Sequence, residues 1–490
     1  MNRRNFVQKA ALGSAALLAP NPFRALARRG DGIPLDQLFV GTMIIPSALY
    51  AKGVAATLDE MQALAGINTV MPFTHTHVGR QYRADYRPFE DADGHPLTDI
   101  YVRTHEAYYP DPRWADRGPA TRYADRDVID ELVEAGASRG IQVYGRILEP
   151  YVITGVIPGF EVFAEEDALG APGDHVCFNH PGYIAYWEAV IEDLVRSHPQ
   201  MAGFKFGQER GGPLQNALEG KVVTCFCPHC LRKARQQGLD AEEARQGFLA
   251  LKQFSDQVRA GEAPPNGRFM TFFRTLSDYP ELLAWERFWM QNREDQRRRM
   301  YAQIKRIRPS VQVGWHIDHS MGWALGMQAF WPYEQMGPYS DWLSIALYFD
   351  SFGRRSKGHY DRLYKDLLFG DADPALSYPM YLSILGLDPA QEPAYVAHAA
   401  EDTEFSDEYV YREVRRAVTT VAGKAKVYGR LGFDMPKYDC DIQPEQVYQA
   451  TTRMFEARVD GVFCGREWDE LQPKNAEAFG KAVRDYLKRR

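Results

Sequence analysis

Short, nearly all-apolar runs alternate with amphipathic segments along this chain from about residue 38 to its end. LFVGTMII is β-rich and is followed by the helical AATLDEMQALAG; INTVMPF is followed, after a polar, Tyr-rich stretch, by RDVIDELVEAGASRG. The alternation continues through IQVYGRILEP, MAGFKFGQERGG, VQVGWHIDHS, WLSIALYFD, KVYGRLGFDMP and DGVFCGREWDEL, and the last helical pattern is AEAFGKAVRDYLKRR. Continuous apolar runs of this length predict strands buried on both faces, as in a parallel sheet covered by helices. Eight such units predict an α/β fold of the closed (β/α)8, or TIM-barrel, kind rather than an open doubly wound sheet. No Gly-rich phosphate fingerprint follows the first strand, which weakens a dinucleotide-binding alternative. Between the fourth strand and the long helix that starts near Leu282, the stretch 212–280 has a helical pattern of its own and reads as an insertion on the face where the strands end.

The first 27 residues stand apart from that rhythm. Arg3 and Arg4, then Phe6, a short weakly apolar stretch and a small-residue site ending at Ala27 resemble a twin-arginine signal peptide. That predicts export to the periplasm or beyond, with the barrel over 28–490. No apolar run in the mature region is long enough for a stable membrane anchor. A net charge of -7 supplies no basic field and argues against a nucleic-acid partner. The 27 Tyr and 9 Trp offer flat faces suited to sugar rings, although core packing also consumes aromatics.

In a barrel of this kind function gathers at the C-terminal ends of the strands. In chain order those ends supply His75 and His77, Arg146 and Glu149, then Gln208, Glu209 and Arg210. The later strands supply Trp315, His316, Asp318 and His319, then Tyr348 and Asp350, Asp434, and finally Arg466, Glu467, Trp468 and Asp469. So many ionisable groups at one rim need either mutual pairing or a ligand. Cleavage of a glycosidic bond needs two carboxyl groups, one to protonate the leaving oxygen and one to attack carbon or activate water. Glu209 suits the acid by position, with Asp434 or Glu467 as the second group and a retaining reaction favoured. His75, His77, Arg146, Gln208, Trp315, His316, Asp318, Tyr348 and Trp468 are the expected substrate contacts. The same residues admit two other readings. One is a barrel that binds carbohydrate without turnover; the other is a metal-dependent hydrolase or lyase built on His75, His77, His316, Asp318 and His319.

Three of the six cysteines fall in CFCPHC. Thiols at that spacing cannot all cross-link locally without strain, but all can point at one ion, and thiolates suit tetrahedral zinc. Cys225, Cys227 and Cys230 are therefore expected to bind zinc, with Cys177 from the loop after the third strand as fourth ligand and His229 as the fallback. Four protein ligands leave no open position, so the site is expected to be structural. A disulfide is the rival in an oxidising compartment, but export after folding lets metal load first.

Taken together these residues resemble glycoside hydrolase family 42, the β-galactosidase family of clan A. That family has a carboxylate after strand four followed by a C-x-C-x-x-C run, and its zinc takes a further cysteine from the preceding barrel loop. The match here is Glu209, then Cys225, Cys227 and Cys230, with Cys177 upstream; His316 and Tyr348 stand where clan A often has His and Tyr. The resemblance implies a zinc-bearing glycosidase barrel with a carbohydrate substrate, and leaves a homo-oligomer open. Two departures stand out: Gln208 precedes Glu209 where clan A usually has Asn, and GRLGFDMP ends strand seven without the expected Glu, leaving Asp434 as its carboxylate. The segments GREWDELQPKN and VGWHIDHS also resemble uncharacterised bacterial glycosidase-like barrel proteins. A glycosidase-like barrel is therefore the expectation, rather than a β-galactosidase.

Overall fold

A computed structural model describes residues 38–76, 99–115, 125–149, 157, 159–208, 210–331, 333–395, 406–435 and 441–489. Its frame is eight strands: β1 (Phe39–Ile44), β2 (Thr69–Thr76), β3 (Gln142–Leu148), β4 (Gly203–Gly207), β5 (Gln312–Ile317), β6 (Trp342–Tyr348), β7 (Lys426–Gly432) and β8 (Gly461–Cys464). Each pairs in parallel with the next, and β1 pairs with both β2 and β8, through Gly41↔Thr69 and Phe39↔Gly461, so the sheet closes into a barrel. Every residue of β4 and of β6 is buried, as unbroken apolar runs require when the inner face meets the barrel interior and the outer face meets helices.

The outer layer includes α1 (Val54–Ala65), α2 (Val128–Ala137), α3 (Pro181–Ser197), α4 (Glu281–Ile307), α5 (Glu408–Val421), α6 (Pro444–Glu456) and α7 (Pro473–Lys488). Their ends are set by local chemistry. Asp127 caps α2 by accepting the Ile129 and Asp130 N–H groups at 3.0 and 3.1 Å, and Pro residues open α3, α6 and α7. Helices Pro213–Leu218, Pro228–Gln236, Ala241–Arg259 and Arg268–Asp278 fill the stretch between β4 and α4. Between β6 and α5 lie Phe352–His359, a π-helical segment Tyr360–Leu368, and Pro374–Ile384. No helix among the described residues is long and apolar enough to cross a membrane.

The barrel interior is filled by side chains. Met43, Met71, Tyr144, Trp342, Tyr428 and Phe463 form one buried cluster, against which Phe39 stacks on Tyr428 with ring centroids 4.2 Å apart. These bulky rings face glycines on neighbouring strands: a Cβ on Gly314 would stand 2.1 Å from the Trp342 ring. Large-against-small packing of this kind makes a solid floor and confines chemistry to the opposite, C-terminal end.

Candidate active site at the barrel mouth

Above the aromatic floor the inward strand positions turn polar. Arg146 on β3 donates to Glu467, just past β8, at 2.5 Å, and the two side chains are 7% and 2% exposed, so the pair is shielded from water. The Arg146 guanidinium also lies 3.9 Å over the Phe73 ring. Lys205 on β4, paired in register with Arg146, is buried beside it. Across the barrel Arg430 on β7 reaches His316 Nδ1 at 3.2 Å and the Tyr348 hydroxyl at 3.1 Å. His75 is buried at the end of β2, its Nδ1 3.1 Å from the Thr74 hydroxyl, just past a register shift between Phe73 and His75. Bulges of this kind re-aim side chains at barrel rims.

Two further clusters brace the rim. Glu149 accepts the Tyr183 hydroxyl at 2.6 Å and Arg210 at 2.5 Å, and Arg210 also reaches Glu165 at 3.2 Å, tying the loop after β3 to the loop after β4. Burial works against the Arg210 charge, and the two carboxylates more than offset it, holding its pKa above the ordinary range. On the other side Asp318 accepts the Ser320 N–H at 2.7 Å, Arg355 lies 2.7 Å from His319 Nε2, and the His319 ring sits 4.6 Å from that of Tyr348. Asp350, after β6, accepts the Met435 N–H at 2.9 Å, and burial pushes its carboxyl up to about 6.

The expected site residues thus divide. Arg146, His316, Tyr348, His75 and Glu467 are buried at the C-terminal end of the barrel. Glu209 and His77 lie outside the described residues. Asp434, the other candidate for the second carboxylate, is engaged with the start of α7. Its oxygens accept the Gln472 N–H at 2.9 Å, the Gln472 side chain at 3.2 Å and Asn475 at 2.8 Å, so it anchors the start of α7. Burial raises its pKa against those donors. Four expected substrate contacts have partners within the protein. Trp315 is wholly buried with its indole N–H donating to the Tyr339 carbonyl at 2.8 Å, because alternation along β5 turns it outward while His316 turns inward. Gln208 is held by Arg297 of α4 at 2.7 Å and donates to Gln296 at 3.0 Å. Trp468 packs back toward α1, its indole N–H 3.3 Å from Glu60. Asp318 caps its own turn.

Of the open metal site expected from the histidines, His77 lies outside the described residues, and the described members His75, His316, Asp318 and His319 form no group of converging ligand atoms. Among the described residues, His, Cys, Asp and Glu ligand atoms converge at two places, Asp127/Asp130/His198 and the four cysteines Cys177, Cys225, Cys227 and Cys230. The first trio is taken up by the α2 cap and its 3.0 Å contact from Asp127 to His198. In the second, the sulfurs all lie within 4.8 Å of one another, with Cys177 3.5 Å from Cys230 and 3.4 Å from Cys227. Tetrahedral Zn–S bonds of about 2.3 Å place sulfurs roughly 3.8 Å apart, so this donor set suits such an ion. Hydrogen bonds from the other thiols push Cys227 well below the usual thiol range, and Asn179 donates to Cys230 at 3.3 Å as an outer support. His229, the fallback ligand, instead faces Arg232 at 2.9 Å.

Sequence reading missed Lys205, Arg355 and Arg430. A usable signal existed for Lys205 and Arg430: each is a charge at an inward position of an otherwise apolar strand, GFKFG and KVYGRLG, where only a partner or a ligand offsets burial.

No protein-family model matches the sequence, and no curated protein matches it. The fold resembles the PgaB (BpsB) glycoside hydrolase domain from Bordetella bronchiseptica, with a TM-score of 0.52 and 10% identity over 91% of this chain and 99% of that one. It also resembles the catalytic domain of beta-amylase from Paenibacillus polymyxa, with a TM-score of 0.50 and 9% identity over 93% of this chain and 100% of that one. At such identities the likeness establishes the fold, a (β/α)8 barrel of the kind found in glycoside hydrolases. A beta-galactosidase from Rahnella sp. R3 aligns at a TM-score of 0.40 and 12% identity, over 92% of this chain and 57% of its own length, too loosely to single out the β-galactosidase family.

Proposed function

We propose that this chain is an exported glycoside hydrolase in which Glu209 is the acid/base and Glu467 the second carboxylate, in a retaining reaction. The observation that carries the reading is the shielded Arg146–Glu467 pair at the C-terminal end of the barrel. A carboxylate held by a guanidinium suits the anionic partner that attacks the sugar carbon or activates water. Glu467 takes this part in preference to Asp434, whose oxygens are committed to α7. Arg430, His316 and Tyr348 form a polar wall suited to grip sugar hydroxyls. The four cysteines hold a structural zinc ion that joins the loop after β3 to the stretch after β4; bound there, zinc supplies cross-linking rather than chemistry. Residues 1–27 act as the twin-arginine signal.

The test is turnover on a panel of aryl glycosides. Glu467→Gln should lower kcat by about 10³-fold on any glycoside the parent hydrolyses. In Glu467→Ala, azide should restore turnover and yield a glycosyl azide of inverted configuration. Undiminished hydrolysis by Glu467→Gln removes Glu467 from the reaction, and a parent inert on the whole panel removes the enzymatic reading.

A further inference from the structure

A cavity of about 140 Å³ lies away from the Arg146–Glu467 pair. It is bordered by the stretch after β4, the start of α4, the short helix Leu325–Phe330 after β5 and the π-helical segment after β6. Met290, Met327, Phe330 and Leu363 give it apolar walls. Glu286, His359 and Tyr364 interrupt them with ionisable groups, and Gln215 with an amide. Glu286 of α4 accepts the Leu214 N–H through Oε2 at 2.7 Å. Burial raises this carboxyl to about 7. His359 is 4% exposed, and its Nε2 is buried with no hydrogen-bond partner among the described residues. Burial lowers the imidazole to about 4, so the ring is neutral.

The backbone adds an independent sign. His359 leads directly into Tyr360–Leu368, whose π-helical pattern closes with the Phe369 N–H on the Tyr364 carbonyl at 2.6 Å, and Tyr364 itself lines the cavity. π-helical turns are rare and recur at functional sites, because the extra residue re-aims side chains at the expense of regular helix geometry. Here the segment places Leu363 and Tyr364 against the cavity beside the unpartnered imidazole.

We infer that this cavity is a binding site for a ring-sized, uncharged molecule bearing one hydroxyl group, a phenol or cyclic alcohol, held by Glu286 and His359. The size fits: an apolar cavity of about 150 Å³ accepts benzene. The chemistry narrows the ligand further. Apolar walls leave the several hydroxyls of a sugar unsatisfied, and a charged ligand would lose its hydration without a counter-ion. A single hydroxyl both donates and accepts, so it suits a site whose polar groups include an imidazole nitrogen and a carboxyl. Because the walls come from three loops that leave the catalytic end of the barrel, occupancy ties those loops together. The inference stands apart from the glycosidase reading and needs no turnover to test.

The test is a titration of the whole mature protein, labelled with ¹³C at methionine methyls, with phenol and separately with benzene. Phenol should shift the Met290 and Met327 methyls saturably, with benzene binding at least about tenfold more weakly for want of the hydrogen bond. His359→Leu should erase that preference. Absence of a saturable shift at those two methyls in the parent overturns the site. Equal binding of phenol and benzene by the parent overturns the roles of Glu286 and His359 and leaves an ordinary apolar void. Both of these outcomes are read on the unmodified chain, so a variant that fails to fold does not blunt the test.

Discussion

Buried ionisable side chains carry most of the information in this protein, and they do so with different partners. Arg146 and Glu467 neutralise each other, Arg430 reaches the His316 imidazole and the Tyr348 hydroxyl, and Glu286 is held by a backbone N–H. The last arrangement has a measurable consequence. The folded pKa of Glu286, about 7, lies above the ordinary 4.5, so the folded state binds the proton more tightly than the unfolded chain. Its contribution to stability is full below about 4.5 and is lost as pH rises through about 7. Glu286→Gln keeps an acceptor for Leu214 and removes the titration. It should match the parent near pH 4.5 and exceed it by up to ~3 kcal/mol at pH 8 in urea unfolding. A gap that stays constant with pH would contradict a raised carboxyl. His359 acts in the opposite sense, its contribution being lost as pH falls from 6.5 toward about 4, but it cancels in the comparison between parent and variant.

The long helix α4 shows how an element can be apolar in outline and polar in detail. Its inner face buries Arg293, Glu294 and Arg297 against the barrel. Glu294 accepts Arg297 at 2.9 Å and the Tyr339 hydroxyl, and stands 3.5 Å from Arg293; Arg297 in turn holds Gln208, while Arg293 lies 4.2 Å over the Trp331 ring. One carboxylate therefore balances two guanidiniums that are fully out of water. Removing it leaves both charges buried, and the loss exceeds the worth of the bonds themselves. Glu294→Gln should destabilise the fold by about 3 kcal/mol in denaturant unfolding, whereas a value within the range of a surface substitution would show that water reaches the cluster. The helix was readable from its periodicity near Leu282, but the pairing of its charges with Gln208 was not, since it joins residues 89 positions apart.

At the scale of the molecule, the barrel, the proposed signal and the cysteine cluster make a joint prediction. If the chain folds, loads metal and is then exported, protein recovered from the periplasm should weigh, in native mass spectrometry, as a chain starting near Arg28 plus one zinc ion. Stripping that ion should lower the melting temperature by more than about 5 °C, because it cross-links two loops. Metal-free protein with an unchanged melting temperature would leave the thiols as ordinary buried cysteines. The sequence alone determined the repeating architecture, because eight apolar runs and their helices are local patterns whose period is set by backbone geometry. It also brought Cys177 into view as a companion of CFCPHC, since consecutive loops at one end of a barrel are neighbours. What only the tertiary structure decided is which face each rim residue uses and which partner it meets. Asp434, Trp315 and Gln208 stand at strand ends as much as Glu467 and His316 do. The one-residue alternation along β5 turns Trp315 and His316 to opposite sides of the wall, while Asp434 meets α7 and Gln208 meets α4. Orientation of that kind follows from closure of the barrel, with its shear and its contacts to α4 and α7, and leaves no mark in composition or spacing.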